Sequence, residues 1–364
     1  MEDLEIARSF SDIVRKGGST GGNMKGIRRL AQELNISIGT VSRALNGRAD
    51  VSDETRQRVL EAATEMGYVP NQAGRSLRQG STNAIGFMIE LGADINGNSD
   101  TFFMGVFDGV QSVLARHHLD LVALPCPTDE NPTAYLQRMI GRRLVDGLII
   151  SATHRKDPRI DLLSKARIPF IALGRSQTPG DYPWIDLDFD GVARRGIDRL
   201  VSAGHSRIAA AVPSNDINLG FVFLDGYKAA LKRHGLPYDP SLVMRVPSSE
   251  LGGYQLGHDI LAMENRPTAI ILNYELLALG LYRQLAEAGL QAGRDLAIIG
   301  FRENPVSRFM SPRLTCFRLS LRDLGIALGE SLLASMPAYA DAYPLGTVQR
   351  VWPMELVPGE SDGL

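Results

Sequence analysis

The chain holds only two cysteines in 364 residues, Cys126 and Cys316. Two thiols cannot build a disulfide framework or a cysteine-rich metal site, so both are expected as buried apolar fillers. No run approaches the ~20 apolar residues needed to cross a bilayer, and no membrane contact is expected. The phosphate loop G-x-x-x-x-G-K-[ST], any G-x-G, the zinc pair H-E-x-x-H and C-x-x-C are all absent, which removes the usual nucleotide cradles and metal sites. Of the six histidines, His117 and His118 fall in a helix-to-strand region and His205 follows a glycine. A solvated or packing role is expected for them. No catalytic residue, metal or cofactor is assigned, and an enzyme is not expected. The first 23 residues carry neither the apolar stretch nor the cleavage motif of a secretory signal, which points to the cytoplasm.

A net charge of −2 argues against nucleic acid only if the charge is spread evenly, and it is not. Residues 24–83 contain nine Lys/Arg against six Asp/Glu, whereas residues 84–364 contain 27 against 31. A basic segment on an acidic body suits phosphate binding, since counterion release depends on the contacting face rather than on the whole chain.

The basic segment reads as three short amphipathic helices. Ile27, Leu30, Ala31 and Leu34 share one face at i, i+3, i+4, i+7. After a turn at Asn35-Ile36, Ser37 caps a second helix whose Val41, Ala44 and Leu45 pack back on the first. Beyond the turn pair Asn46-Gly47, Ser52 caps a third, with Asp53 and Glu54 favourable at its positive end and Val59, Leu60, Ala63 and Met66 inside. Two helices and a tight turn followed by a packing helix is the helix-turn-helix layout, although any small three-helix bundle shares the bare pattern.

The residues decide between these. Ile36-Ser37-Ile38-Gly39-Thr40-Val41-Ser42-Arg43-Ala44-Leu45-Asn46-Gly47, Val51-Ser52-Asp53-Glu54-Thr55-Arg56-Gln57-Arg58-Val59-Leu60 and Gly67-Tyr68-Val69-Pro70-Asn71 resemble the headpiece of the LacI/GalR (lactose-repressor/galactose-repressor) family of transcription regulators. Ala73-Gly74-Arg75-Ser76-Leu77 resembles its hinge helix, with Leu77 at the minor-groove wedge position. An apolar wedge unstacks a base step in exchange for contact with bent DNA. The resemblance implies double-stranded DNA as partner, in the form of a pseudo-palindromic operator with a central CG step, and a homodimer. Base edges would be met by Ile38, Gly39 and Arg43. Ile38 can touch only a thymine methyl and Gly39 has no side chain, which leaves direct readout to Arg43. Ser37, Thr40, Ser42 and Asn46, with Asn71 and Arg75, are expected at phosphates, in capping or in the hinge.

From residue 84 apolar strands alternate with amphipathic helices, for example Ala84 to Ile89, Leu119 to Leu124, Val145 to Ile150, Pro169 to Leu173, Arg207 to Val212, Ala269 to Leu272 and Leu296 to Gly300. That rhythm predicts two doubly wound parallel-sheet halves with a cleft at the carboxyl ends of their strands. Asp146-Gly147-Leu148-Ile149-Ile150, Gly204-His205-Ser206-Arg207-Ile208-Ala209 and Gly226-Tyr227 resemble landmarks of the family's periplasmic-binding-protein-like α/β core. The expected organisation is an extension (1–23), with Met24 a candidate start; a helix-turn-helix headpiece (24–69); a hinge (70–83); one subdomain of 84–203 with 316–343; and a second of 204–315 with 344–364. Crossovers are expected near 203, 315 and 344. No leucine heptad follows Val357, so a dimer is expected rather than a tetramer.

The effector site departs from the family's pattern. Phe223 stands where the resemblance implies an arginine, Arg302 where it implies an aspartate, and Tyr274 and Glu275 replace an Asn-Asp pair. Asp188 keeps an aspartate, and Phe102 and Phe103 occupy ligand-stacking positions. Two readings stay open at this point. Arg302 grips a carboxylate or phosphate on a sugar-derived effector, or it pairs with Asp188 or Glu303 and the effector is a neutral sugar. A periplasmic solute-binding protein would share the core but not the basic headpiece.

Overall fold

The computed structural model describes residues 26–45, 48, 50–68, 81–91 and 100–364. The expectations for residues 1–23, the turn pair Asn46-Gly47, and Asn71, Arg75 and Leu77 lie outside the described residues. The chain divides into two compact units, residues 1–80 and 81–364.

In the first unit, α1 (Ile27–Glu33), α2 (Ile38–Leu45) and α3 (Asp53–Glu65) enclose a small core. Leu30, Val41 and Val59 are fully buried, joined by Ala31, Ala44, Val51 and Ala63. Asn35 takes the left-handed backbone (φ 50) in the turn between α1 and α2. Ser37 accepts the Thr40 amide at 3.0 Å and Ser52 the Thr55 amide at 3.3 Å, so both helices begin with a donor satisfied by a side chain.

The second unit carries two six-stranded sheets. The chain runs β1 (Ala84–Glu90), α4 (Asp100–Leu114), β2 (Asp120–Cys126), α5 (Pro132–Gly141), β3 (Gly147–Ile150), α6 (Pro158–Ala166), β4 (Phe170–Leu173) and β5 (Trp184–Leu187). It continues through α7 (Phe189–Ser202), β6 (Ile208–Pro213), α8 (Asn218–Arg233), β7 (Val243–Val246), α9 (Glu250–Ala262), β8 (Ala269–Leu272), α10 (Leu277–Glu287) and β9 (Ala297–Arg302). It closes with β10 (Thr315–Arg318), α11 (Leu321–Ala334), β11 (Gln349–Trp352) and β12 (Glu355–Val357). The sheet orders are β11-β5-β4-β3-β1-β2 and β12-β10-β9-β8-β6-β7, parallel throughout except for β10 against β12. Every residue of β3, β4, β6, β8 and β9 is buried, as befits strands covered by helices on both faces. Helices α4 and α11 meet backbone to backbone: a Cβ on Gly109 would lie 2.0 Å from the Arg322 carbonyl oxygen, and one on Gly325 2.1 Å from that of Val106.

The crossovers fall elsewhere than expected. Helix α7 leaves the first sheet at Asp188 and packs on β8 and β9 of the second, burying Val192, Ala193, Ile197 and Leu200. The first crossover is therefore at 188, not near 203. Strand β10 still belongs to the second sheet, so the next passage lies at Leu319-Ser320, before α11 returns to β3 and β4. Strand β11 pairs with β5, which moves the third passage from 344 to Pro353-Met354. A turn signal marks where an element ends, whereas its buried face decides which sheet it joins. Residues 81–83, expected in the hinge, are pinned to the core: the Asp146 carboxylate accepts the Thr82 amide at 2.7 Å, the Asn83 amide at 2.8 Å and the Ser81 hydroxyl at 2.7 Å.

One side chain touches the first and third passages and the strand that leads into the second. Arg195 on α7 donates to Asp188 Oδ2 at 2.9 Å and to the Met354 carbonyl at 3.0 Å, and its guanidinium lies 5.3 Å from the centroid of the Phe317 ring.

Candidate functional site

Helix α2 turns Val41 and Ala44 inward and leaves Ser37, Ile38, Gly39 and Arg43 exposed, with Thr40 and Ser42 half-buried. Six of the expected DNA-contacting residues thus lie on or directly before this one helix, Ser37 to Thr40 at its amino-terminal end and Ser42 and Arg43 toward its other end. The Ser37 and Thr40 hydroxyls bond at 2.8 Å. Where Gly39 lacks a Cβ, the nearest side-chain nitrogen is Nη1 of Arg43, 4.0 Å from the position a Cβ would take. Arg43 also pairs with Asp50 at 3.5 Å, and both side chains are more than half exposed. An exposed pair of this kind is worth about 0–1 kcal/mol, so it yields readily to a stronger acceptor.

In the second unit a cleft opens at the carboxyl ends of the strands of both sheets. Phe102 and Phe103 enter from α4, Ser151 to Thr153 follow β3, Asp186 comes from β5, Asn273 to Glu275 follow β8, and Phe301 and Arg302 end β9. Phe102 and Phe103 meet edge to face at 5.3 Å, and Phe189 stacks on Phe301 at 4.9 Å with an interplanar angle of 2°. At the mouth the subdomains touch: the Asn218 amide donates to the Thr153 carbonyl at 2.8 Å, and its side chain donates to the Arg175 carbonyl at 2.7 Å.

The loop after β3 is held from behind by Arg159, whose side chain is 1% exposed. It donates through Nε and Nη2 to the two Asp157 oxygens at 2.9 and 2.6 Å and to the Ala152 carbonyl at 3.2 Å, and it pairs with Glu90. Burial raises the Asp157 pKa, but the Arg159 hydrogen bonds and charge and two backbone amides outweigh it, so the carboxyl ends below its ordinary value.

Of the six expected effector residues, Phe102, Phe103, Tyr274 and Arg302 line the cleft. Asp188 does not: its Oδ1 caps α7 by accepting the Gly191 amide at 3.1 Å, and its Oδ2 takes Arg195. Phe223 is also misplaced. It is fully buried in the apolar core, one turn past Leu219, the α8 residue that faces the cleft. Arg302 pairs with neither Asp188 nor Glu303 through its charge; its partner is the buried carboxylate of Glu275. The guanidinium lies 5.4 Å from the centroid of the Phe102 ring. A free cation awaiting an anionic ligand is therefore not what the cleft holds.

Sequence reasoning missed Asn273 and Asp186. Asn273 is 2% exposed, and neither of its amide atoms has a hydrogen-bond partner among the described residues, although it lines the cleft. Its position directly after an apolar strand was the available signal. Asp186 interrupts the apolar strand Trp184-Ile185-Asp186-Leu187. Burial lifts its pKa to about 6 despite the Arg175 Nε donor at 2.7 Å. An aspartate raised in the folded state stabilises most at low pH and loses that contribution as the pH climbs from about 4 through 6. The stability of the wild type minus that of Asp186→Asn is accordingly expected to fall across this range, by on the order of 2–3 kcal/mol. Urea melts at pH 4.5 and pH 7 measure it, and a difference that grows with pH would contradict the assignment.

Residues 26–71 match the family described as bacterial regulatory proteins, lacI family, and residues 197–361 match the periplasmic binding protein-like domain. The HTH-type transcriptional regulator AglR of Rhizobium meliloti (strain 1021) is 34% identical over 344 residues, covering 93% of this chain and 94% of that protein. The chain belongs to the lacI family of bacterial regulatory proteins. As a LacI-family protein it is a DNA-binding transcription regulator and not an enzyme. Among solved structures, the transcriptional regulator CelR–cellobiose complex has a TM-score of 0.68 at 25% identity, covering 93% of this chain and 99% of that one. The Lac repressor dimer bound to operator and the anti-inducer ONPF reaches 0.78 at 23% identity over 92% and 97% of the two chains, a likeness of fold. In this family member no described helix is long and apolar enough to cross a membrane.

Proposed function

We propose that this LacI-family regulator is a cytoplasmic homodimeric repressor whose operator affinity is set by an uncharged sugar bound in the cleft. The observation that carries the sensing half is the pairing of Arg302 with Glu275 beside the unpartnered amide of Asn273. A wall with matched charge, one amide offering both a donor and an acceptor, and the faces of Phe102 and Phe103 suits a ligand with hydroxyls on its rim and C–H groups on its face. The relative whose structure is described as a cellobiose complex is in keeping with this.

For the DNA half, α2 lies in the major groove with Arg43 on a guanine, Ile38 against a thymine methyl, and Ser37, Thr40 and Ser42 at phosphates. By sequence alone, Asn46, Asn71, Arg75 and Leu77 would join them from the turn and the hinge. Two copies reading two half-sites would join through the apolar side chains the core leaves in water, Leu251 (76% exposed), Phe309 (88%) and Met104 (57%).

The test is operator selection from random duplexes followed by gel shift. A pseudo-palindrome with a central CG step is expected. Arg43→Ala should weaken binding to it by about 10- to 100-fold and relax preference at one position of each half-site. No shift at moderate salt with folded protein would remove this reading.

A further inference from the structure

We infer that Glu275 sets the charge class of the effector: by occupying Arg302 it makes the cleft select uncharged ligands over acidic ones. This rests on the proposal that the cleft binds a sugar.

Among the described residues lining the cleft, Arg302 is the one cation, and Asp186 and Glu275 are the two acids. Asp186 is matched from outside the lining by Arg175, at 2.7 Å. Glu275 and Arg302 match each other, and each side chain is 5% exposed. Glu275 follows β8 and Arg302 ends β9, neighbouring strands of one sheet, so the pair closes across the strand ends in the wall itself. Phe102 lies against the guanidinium at 5.4 Å and keeps it from reorienting freely.

An acidic sugar entering this cleft would give up its hydration and find no uncompensated positive charge, only two carboxylates already satisfied. A neutral sugar gives up no ionic hydration and meets the Asn273 amide. A buried ion pair contributes little to stability compared with apolar residues of the same volume, so a role for this pair in recognition costs the fold little. Removing the carboxylate alone would convert the wall. Arg302 would keep its place over Phe102 and acquire a charge with no partner, which suits a carboxylate or phosphate.

The experiment is calorimetric titration of the full-length protein with neutral hexosides and disaccharides, the corresponding hexuronates, and the corresponding 2-amino sugars. Wild type is expected to favour neutral members over their acidic counterparts. Glu275→Gln should raise the acid-to-neutral affinity ratio by about tenfold or more, with the gain shrinking in salt. The mirror variant Arg302→Gln, which leaves Glu275 unmatched, should shift preference toward amino sugars by a comparable factor, and it serves if Glu275→Gln does not fold. Glu275→Gln/Arg302→Gln should return to neutral preference. The inference is overturned if wild type prefers the uronates, or if a folded single variant leaves the wild-type affinity ratios unchanged. Operator gel shift of the wild type reports separately on whether the regulator reading stands, since none of these substitutions lies in the DNA-binding unit.

Discussion

The Leu30→Ala protein is expected to lose operator binding while the melting of its α/β core stays at the wild-type temperature. Leu30 is fully buried in a core that, among the described residues, counts seven buried apolar side chains, three of them alanine. Truncating a buried leucine costs about 2–5 kcal/mol, and the cost is highest where neighbours cannot close the gap. A helical unit this small rarely holds more than about 3–5 kcal/mol in all. The substitution therefore consumes most or all of its stability, and α2, which has eight residues, does not persist alone in water. Calorimetry should show the core transition unmoved, and gel shift should show no complex. Leu30→Met, which conserves volume, should bind within a few-fold of wild type. Operator affinity retained in Leu30→Ala would refute the account.

A second large effect is expected at Arg159. Arg159→Met leaves the buried Asp157 without its cation and the buried Glu90 with only the His154 imidazole at 3.3 Å, and breaking a buried pair in this way costs about 3–5 kcal/mol. The loss is also felt in the cleft, because the Ala152 carbonyl is released from the Arg159 guanidinium and the loop carrying Ser151 to Thr153 loses its rear support. The pH dependence carries a sign. A carboxyl held below its ordinary value stabilises above that value and loses the contribution as the pH falls. The gap between wild type and Arg159→Met should therefore be widest near neutrality and narrow below about pH 4. Adding Asp157→Asn and Glu90→Gln to Arg159→Met should recover most of the stability, since the cost lies in unmatched charge rather than lost volume. A triple variant as unstable as the single would show that packing, not charge, is responsible.

The legible parts of the fold were those in which local pattern and buried face coincide. β3, β4, β6 and β8 are unbroken apolar runs, and the headpiece helices repeat their apolar residues at helical spacing. β7, β10, β11 and β12 are three- or four-residue strands of mixed composition, such as Val243-Met244-Arg245-Val246, that become strands only because a neighbour pairs with them. The same limit governed the cleft. Phe102, Phe103, Tyr274 and Arg302 were found by their positions in the family resemblance, although at Tyr274 and Arg302 the residue type departs from it. Asp188 and Phe223 were misassigned because a shift of one or two residues around a strand end, or one turn along a helix, exchanges a cleft for a cap or a core. That Arg302 would meet Glu275 depends on the pairing of β8 with β9, which no linear spacing encodes.

The three passages between the sheets make the core indivisible. Neither sheet with its helices is a continuous stretch of chain: the first needs residues from both sides of the second, and the second is completed only by β12. A protease that cuts one passage leaves the halves joined by the other two. No truncation liberates half a sensor, and no recombination event can exchange one half by a single splice. This core is inherited whole.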